Sequence, residues 1–176
     1  GNLKFLLFNT FAQKAMSNMQ DLVVSQIEKN TTDAVVLTFD VPSDLQSSFQ
    51  FQAGQYISLE TTLAGQQVRR SYSICAAPYE NCLQVGIKKV PNGLFSTYAA
   101  STLKVGDHLK VSLPEGRFVY MPDSTPKTIA AFASGSGITP IMAIIKEHLK
   151  AHPENQFHLV YGNKSPEQTM FYQALQ

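Results

Sequence analysis

The hydrophobic rhythm of the chain changes once, near residue 123, and the change divides it. Before that point apolar and polar positions alternate. The stretch "AVVLTFDV" places Val35, Leu37, Phe39 and Val41 on one face, because side chains two apart share a face of a strand. Ile57, Leu59 and Leu63 keep even spacing after an Ala53-Gly54 turn, as do Leu83, Val85 and Ile87, and then Leu109, Val111 and Leu113. Strands this short and this frequent predict an antiparallel barrel or sandwich over residues 21–122. One helical interruption is expected, with Asn92-Gly93 as a turn and "LFSTYAAST" as two turns of helix.

Beyond residue 123 the pattern is that of an α/β unit. "TIAAFAS" is continuously apolar, which predicts a strand covered on both faces. Gly135, Ser136 and Gly137 follow, and then Ile138, Ile141, Met142, Ile145 and Leu149 recur at helical spacing. "FHLVYG" predicts a second buried strand. "SPEQ" predicts a second helix with Ser165 as N-cap, Pro166 in the first turn and Gln168 closing a capping box. The order β-α-β-α is the first half of an open parallel sheet. A domain of that kind needs on the order of 100 residues, so residues 123–176 are expected to form an incomplete one, in a natural short form or a fragment. Residues 1–20 hold an apolar stretch, Phe5 to Phe8, that is too short to span a bilayer and is followed by Asn9, Thr10, Gln13 and Lys14. A leader or an amphipathic helix is expected there.

Composition narrows the function classes. The 176 residues carry 14 basic and 13 acidic side chains, a net charge of +1, which asks for neither nucleic acid nor an anionic membrane as partner. Cys75 and Cys82 lack metal-ligand spacing, and Cys75 sits in an apolar run, so an inert buried thiol and a reducing, cytoplasmic setting are expected. His108, His148, His152 and His158 lie in unrelated contexts, most of them expected at the surface, and no metal site is expected.

The chemistry gathers in three stretches. In "RRSYSICAAP" two guanidinium groups that keep their charge need an anion or solvent. On a strand Arg70 and Tyr72 share one face, while Arg69, Ser71 and Ser73 share the other. Arg70 is placed to fork onto a phosphate and Tyr72 to stack on a flat ring attached to it; a solvated edge strand with two exposed arginines explains the same residues. In "VGIKKVPNGLFSTY" free N–H groups at a helix start suit a phosphate. In "ASGSGITPIMAII" two glycines free the backbone between strand and helix, and Ser136 and Thr139 offer hydroxyls. Tight packing alone explains such a turn equally well.

Taken together, these stretches resemble the ferredoxin–NADP reductase superfamily over residues 21–176. "RSYS" resembles its Arg-x-Tyr-Ser flavin signature, "GLFS" its Gly-x-x-Ser turn, "LPEGRFVY" its closing strand, and "GSGITP" its Gly-Thr-Gly-x-x-Pro turn with Ser136 in place of Thr. The resemblance implies a six-stranded antiparallel Greek-key barrel that binds FAD, followed by a parallel α/β domain for NADPH or NADH. It implies that Arg70 and Ser71 meet flavin phosphate and backbone, that Tyr72 stacks, and that Ser73 hydrogen-bonds near flavin N5. Gly86, Ile87 and Lys88 would run along the flavin chain, Gly93, Leu94, Phe95 and Ser96 would hold the pyrophosphate, and Gly116 and Phe118 would pack beneath the flavin site. Gly135, Ser136, Gly137 and Thr139 would shape the nicotinamide pocket, which makes Tyr72, Ser73 and Thr139 the positions nearest the reacting atoms. Asn163 and Lys164 would meet the adenosine ribose. Lys164 and Ser165 could reach a 2′-phosphate, although Ser165 is equally explained as a helix cap.

Within the superfamily the motifs look closest to reductase components of multicomponent oxygenases. Those relatives add a four-cysteine [2Fe–2S] module that these 176 residues do not contain. The implied function is an FAD-dependent NAD(P)H oxidoreductase: hydride passes from nicotinamide C4 to flavin N5, and electrons leave to a ferredoxin-type centre or an oxygenase. The alternative is a non-catalytic flavin-binding module that conducts electrons or regulates a partner.

Overall fold

The structure is a computed structural model that describes residues 19–176. Its first part is one sheet of β1 (Met19–Lys29), β2 (Ala34–Asp40), β3 (Tyr56–Leu63), β4 (Gln66–Ser73), β5 (Leu83–Lys88) and β6 (His108–Ser112). The strand order is β4-β3-β6-β1-β2-β5, with every pair antiparallel. The β3–β4 hairpin turns on Ala64 and Gly65, both at positive φ (48° and 79°), which is the geometry whose twist matches a tight hairpin. The two edge strands meet at a single bridge, Ile74↔Val85, which draws the sheet round into a barrel. The alternating positions read from the sequence fill its interior: Leu37, Ile57, Leu59, Ile87 and Leu109 are all buried. A short helix α1 (Leu94–Ser101) plugs one end with Phe95 and Ala99. The expected six-stranded antiparallel barrel is present. β1 begins at Met19, so the last two residues of the expected leader are strand; its remainder, residues 1–18, lies outside the described residues.

The second part is smaller. β7 (Thr128–Ser134) and β8 (Gln156–Gly162) pair in parallel, joined by α2 (Ile138–Ala151), which packs on one face of the pair. Here the structure corrects three expectations. β7 and β8 are covered on one face only: Ile129, Ala131, Ala133, Phe157, Leu159 and Tyr161 face α2, while Phe132 is 79% exposed and Val160 59%. Both faces are apolar, as the continuous run expects, and within these residues only the face against α2 is covered. Leu149 is 44% exposed, and His148 occupies the core position instead. The expected helix after Ser165 is a single 3-10 turn, Pro166–Gln168. The Ser165 side chain makes no cap bond, and its carbonyl accepts from the Thr169 hydroxyl. A capping box stabilises a helix only where the helix continues, and the chain instead bends so that Met170 is buried and the Phe171 N–H donates to Asn30 of the barrel.

His148 has no exposed surface and is fully used. Its Nδ1 meets the Tyr120 hydroxyl at 2.7 Å, and its Nε2 lies 3.1 Å from the carbonyls of both Lys127 and Gln156. Two carbonyls at one nitrogen require the proton on Nε2. Tyr120 and Lys127 bound the connection between the two parts, so one histidine fastens both ends of it. Tyr120 is itself bridged to Ala53 of the barrel.

Candidate functional site

The C-terminal ends of β7 and β8 face the loop between β5 and α1 across a cleft of about 890 Å³. From the parallel pair come Ser134, Gly135, Ser136, Gly162, Asn163 and Lys164; from the barrel come Asp33 and the run from Lys88 to Asn92. A parallel pair presents its loops at the carboxyl ends of its strands, and the barrel supplies the opposite wall. The cleft carries three lysines, Lys88, Lys89 and Lys164, against Asp33. Asn163 stands out. Both of its side-chain amide atoms are buried, and the side chain lies against the Tyr161 hydroxyl.

Of the expected dinucleotide residues, Gly135, Ser136, Asn163 and Lys164 line this cleft. Gly135 adopts φ 52°, a left-handed conformation that favours glycine. Gly137 lies in the same turn but at an ordinary φ of −61°. Thr139 does not present its hydroxyl: the side chain is buried, donates to the Ser136 carbonyl at 3.0 Å, and turns its methyl toward Gly86. Its position at the first turn of α2 favours bonding back to the preceding carbonyl over reaching the cleft.

The flavin-type residues gather on the barrel's β4 edge and the start of α1. Val68, Arg70 and Tyr72 pair with Thr61, Leu59 and Ile57, which puts them on the face expected from alternation. Tyr72 is half-buried, with its ring 5.7 Å from that of Phe95 on α1, and burial pushes its hydroxyl up to about 12. It therefore stays a neutral ring across the working pH range. Arg70 is exposed, and its guanidinium donates to the Arg69 carbonyl at 2.7 Å. Ser71 shares a hydrogen bond with Ser58 across the strands, and Ser73 is half-buried at the end of β4. α1 starts at Leu94 with no side chain capping its first N–H groups, so these stay open to an acceptor.

Several other expected contacts are otherwise placed. Ser96 is buried; its hydroxyl accepts from the Val90 N–H and faces the Gly93 carbonyl, so it clamps the turn. A Cβ on Gly93 would sit 2.4 Å from that hydroxyl, which is why the turn requires glycine. Gly86 and Ile87 are buried, and a Cβ on Gly86 would meet Thr139 at 2.7 Å and Met170 at 2.8 Å. The second part of the molecule covers Gly86, while Ile87 faces the barrel interior. Lys88 donates to the Gln168 carbonyl at 2.8 Å and lies 3.8 Å from Asp33. Phe118 is 60% exposed; its backbone, not its ring, packs on Gly54, while Gly116 faces the Tyr56 ring. Sequence reasoning missed Asp33 and Lys89. "KK" marked the second in plain view; Asp33 lies 55 residues upstream of Lys88, and only the β2–β5 pairing brings it in.

Cys75 is buried, and burial pushes its thiol up to about 12, the inert state expected of it. Among the described residues no helix is long and apolar enough to cross a membrane.

Two family matches agree with this geometry: an oxidoreductase FAD-binding domain over residues 21–120 and an oxidoreductase NAD-binding domain over residues 132–176. The chain belongs to this ferredoxin–NADP reductase family of FAD- and NAD-binding oxidoreductases. It is 40% identical to one component of the 1,2-phenylacetyl-CoA epoxidase of Escherichia coli K12 over 161 residues, 91% of this chain and 45% of that one. Among solved structures, the flavohem-like FAD/NAD binding domain of nitric oxide dioxygenase from Vibrio cholerae O1 biovar El Tor superposes with a TM-score of 0.78 at 26% identity, covering 90% of this chain and 68% of that one. Phthalate dioxygenase reductase, described as modular for electron transfer from pyridine nucleotides to [2Fe–2S], gives 0.72 at 26% identity, covering 92% and 49%. The chain spans about half the length of the curated relatives it matches.

Proposed function

We propose that the chain acts as an FAD-dependent NAD(P)H oxidoreductase of the kind that serves an oxygenase or a ferredoxin-type centre, in the cytoplasm. The observation that carries the reading is the cleft at the ends of β7 and β8, walled by Gly135, Ser136 and Lys164 and, across from them, Lys89. The residues present fit both groups. For FAD, residues 21–122 supply the half-buried Tyr72 ring, the exposed Arg70 guanidinium on the same face, and the uncapped start of α1. For the dinucleotide, residues 123–176 supply the Gly135–Gly137 turn, Asn163 and Lys164. Bound FAD supplies a two-electron acceptor for hydride and a donor that can release electrons singly or in pairs.

The chain's own part is to bind, align and exclude water. Arg70 supplies charge to a phosphate, with Arg69 on the other face. Tyr72 offers a flat neutral surface, and Ser71 and Ser73 order the β4 edge beside it. Gly93, Leu94, Phe95 and Ser96 shape the turn that leaves N–H groups open. Lys164 and Lys89 make the cleft positive, which favours NADPH over NADH through the extra phosphate. Thr139 acts from beneath, by fixing the Ser136 carbonyl.

Anaerobic reduction of the FAD-loaded chain tests the reading. NADPH is expected to bleach the visible flavin band at about 450 nm, and dithionite to bleach it in any case. Bleaching by dithionite alone, at every NADPH and NADH concentration, overturns the oxidoreductase reading and leaves a flavin-binding conduit or regulatory module.

A further inference from the structure

Tyr161 stands one strand away from the glycine turn and yet holds it. In the parallel pair Tyr161 lies beside Ala133, on the face that α2 covers. The small alanine leaves the tyrosine ring room to lean along the strand direction toward the C-terminal end. Its hydroxyl reaches the Gly135 carbonyl at 2.8 Å. That oxygen also accepts from the Ile138 N–H, which lies within reach of the Ser136 carbonyl too. Two donors, one from the strand and one from the helix, thus hold a single peptide oxygen on the core side of the turn.

The consequence follows from peptide geometry. The bond between Gly135 and Ser136 is trans, since no described peptide is cis, so its C=O and N–H point in opposite directions. With the carbonyl drawn toward the core, the Ser136 N–H is turned outward, where Ser136 lines the cleft. The left-handed φ of Gly135, 52°, is the backbone rotation that permits this, and nothing lies within 4 Å of where a Cβ would stand. Steric crowding does not hold the turn; the hydrogen bonds do. Burial pushes the Tyr161 hydroxyl up from its ordinary value, in keeping with a group that keeps its proton and donates.

We propose that Tyr161 is a positioning residue for the dinucleotide: by binding the Gly135 carbonyl it aims the Ser136 N–H at an anionic group of NAD(P)H in the cleft. This rests on the oxidoreductase reading above. A residue with this role acts on dinucleotide affinity and leaves the flavin and the chemical step alone.

The test compares the FAD-loaded chain with its Tyr161→Phe variant, which keeps the ring and loses only the hydroxyl. In anaerobic stopped flow the half-saturating NADPH concentration should rise about five- to tenfold, the effect of one lost hydrogen bond. The limiting reduction rate, FAD content and thermal midpoint should stay at wild-type values. Amide exchange at Ile138, measured without any ligand, should quicken in the variant as the turn loosens. An unchanged half-saturating concentration overturns the proposal, and so does a loss shared equally by rate, FAD content and stability, which would mark a purely structural tyrosine. If NADPH fails to reduce even the wild type while dithionite succeeds, the oxidoreductase reading fails. The Ile138 exchange then still decides: unchanged exchange means that Tyr161 does not hold the turn.

Discussion

The barrel and the parallel pair solve the same burial problem to different degrees. In the barrel the sheet closes on itself, so Ile57, Leu59, Val85, Ile87 and Val111 are sealed by the strands opposite. In the parallel pair α2 seals one face, and Phe132 and Val160 on the other stay open. The smaller part therefore leans on the larger: Ala34 and Ala53, from the barrel, belong to the same buried cluster as Ile138, Ile141, Met142 and Met170. Gly86 shows how close the approach is, since a single Cβ there would collide with both Thr139 and Met170. The flavin-type surface thus stands on a self-sufficient scaffold, whereas the cleft exists only while the second part stays docked. Perturbing the docking should cost the cleft far more than the barrel.

The largest expected effect is at Gly54, where the barrel backbone meets the connection to the second part. Its φ is 103°, and a Cβ would lie 2.2 Å from the Phe118 carbonyl oxygen. Gly54→Ala should lose about 3 kcal/mol or more of stability, because strain and overpacking add. Chemical denaturation checks this, and a loss under about 1 kcal/mol would show that the connection yields freely. Next comes His148→Leu, which strands the Tyr120 hydroxyl and the Lys127 and Gln156 carbonyls; about 2–4 kcal/mol is expected. Hydrogen exchange should locate the loss in β7, β8 and α2, with β1 to β6 keeping their protection. A uniform loss would mean that the two parts fold as one unit.

Arg70→Ala against Arg69→Ala sharpens the barrel side. One charge-assisted hydrogen bond to phosphate is worth about 1.5–3 kcal/mol, so Arg70→Ala should weaken FAD binding by roughly ten- to hundredfold. Arg69→Ala, on the opposite face, should leave it nearly unchanged. Equal affinities in a fluorescence titration would show the faces to be misassigned.

The smallest effect is at Glu147. Its Oε2 is buried without a partner, and burial pushes the carboxyl up from the usual carboxylate range. The folded protein thus holds this proton more tightly than the unfolded chain. The stabilisation from the protonated form is fully present below the unfolded value and is lost as pH rises through the folded one. Glu147→Gln should therefore gain a few tenths of a kcal/mol on the wild type at neutral pH, and the gap should close in acid. A gap that widens on acidification would reverse the sign.

Much of this molecule was legible in its sequence because its contacts repeat locally. Period-two spacing marked the inner residues of β2, β3, β5 and β6, and Asn92-Gly93 marked the start of α1. Alternation also placed Arg70 with Tyr72. What stayed hidden depends on distant partners. His148 showed no sign of its core position, because Tyr120, Lys127 and Gln156 give no local sign that they converge. Lys88 and Thr139 were read as facing a ligand, but Gln168 and Ser136 claim them first. Ser165 carries every local mark of a helix start, and the burial of Met170 against the barrel overrides it. Tyr161 read only as an apolar strand residue, since the bond it makes lies 26 positions back along the chain.

Flavin on the barrel and dinucleotide at the strand ends make a division of labour, which amide hydrogen exchange with each ligand in turn would reveal. FAD should slow exchange at residues 69–73 and 93–96 and leave 134–137 and 162–164 nearly unchanged. NADP⁺ added to the FAD-loaded chain should then slow exchange at 134–137 and 162–164, with little further change on the barrel. Two separate footprints in those places are expected; FAD protection centred on β7 and β8, or NADP⁺ protection confined to the barrel, would overturn the division.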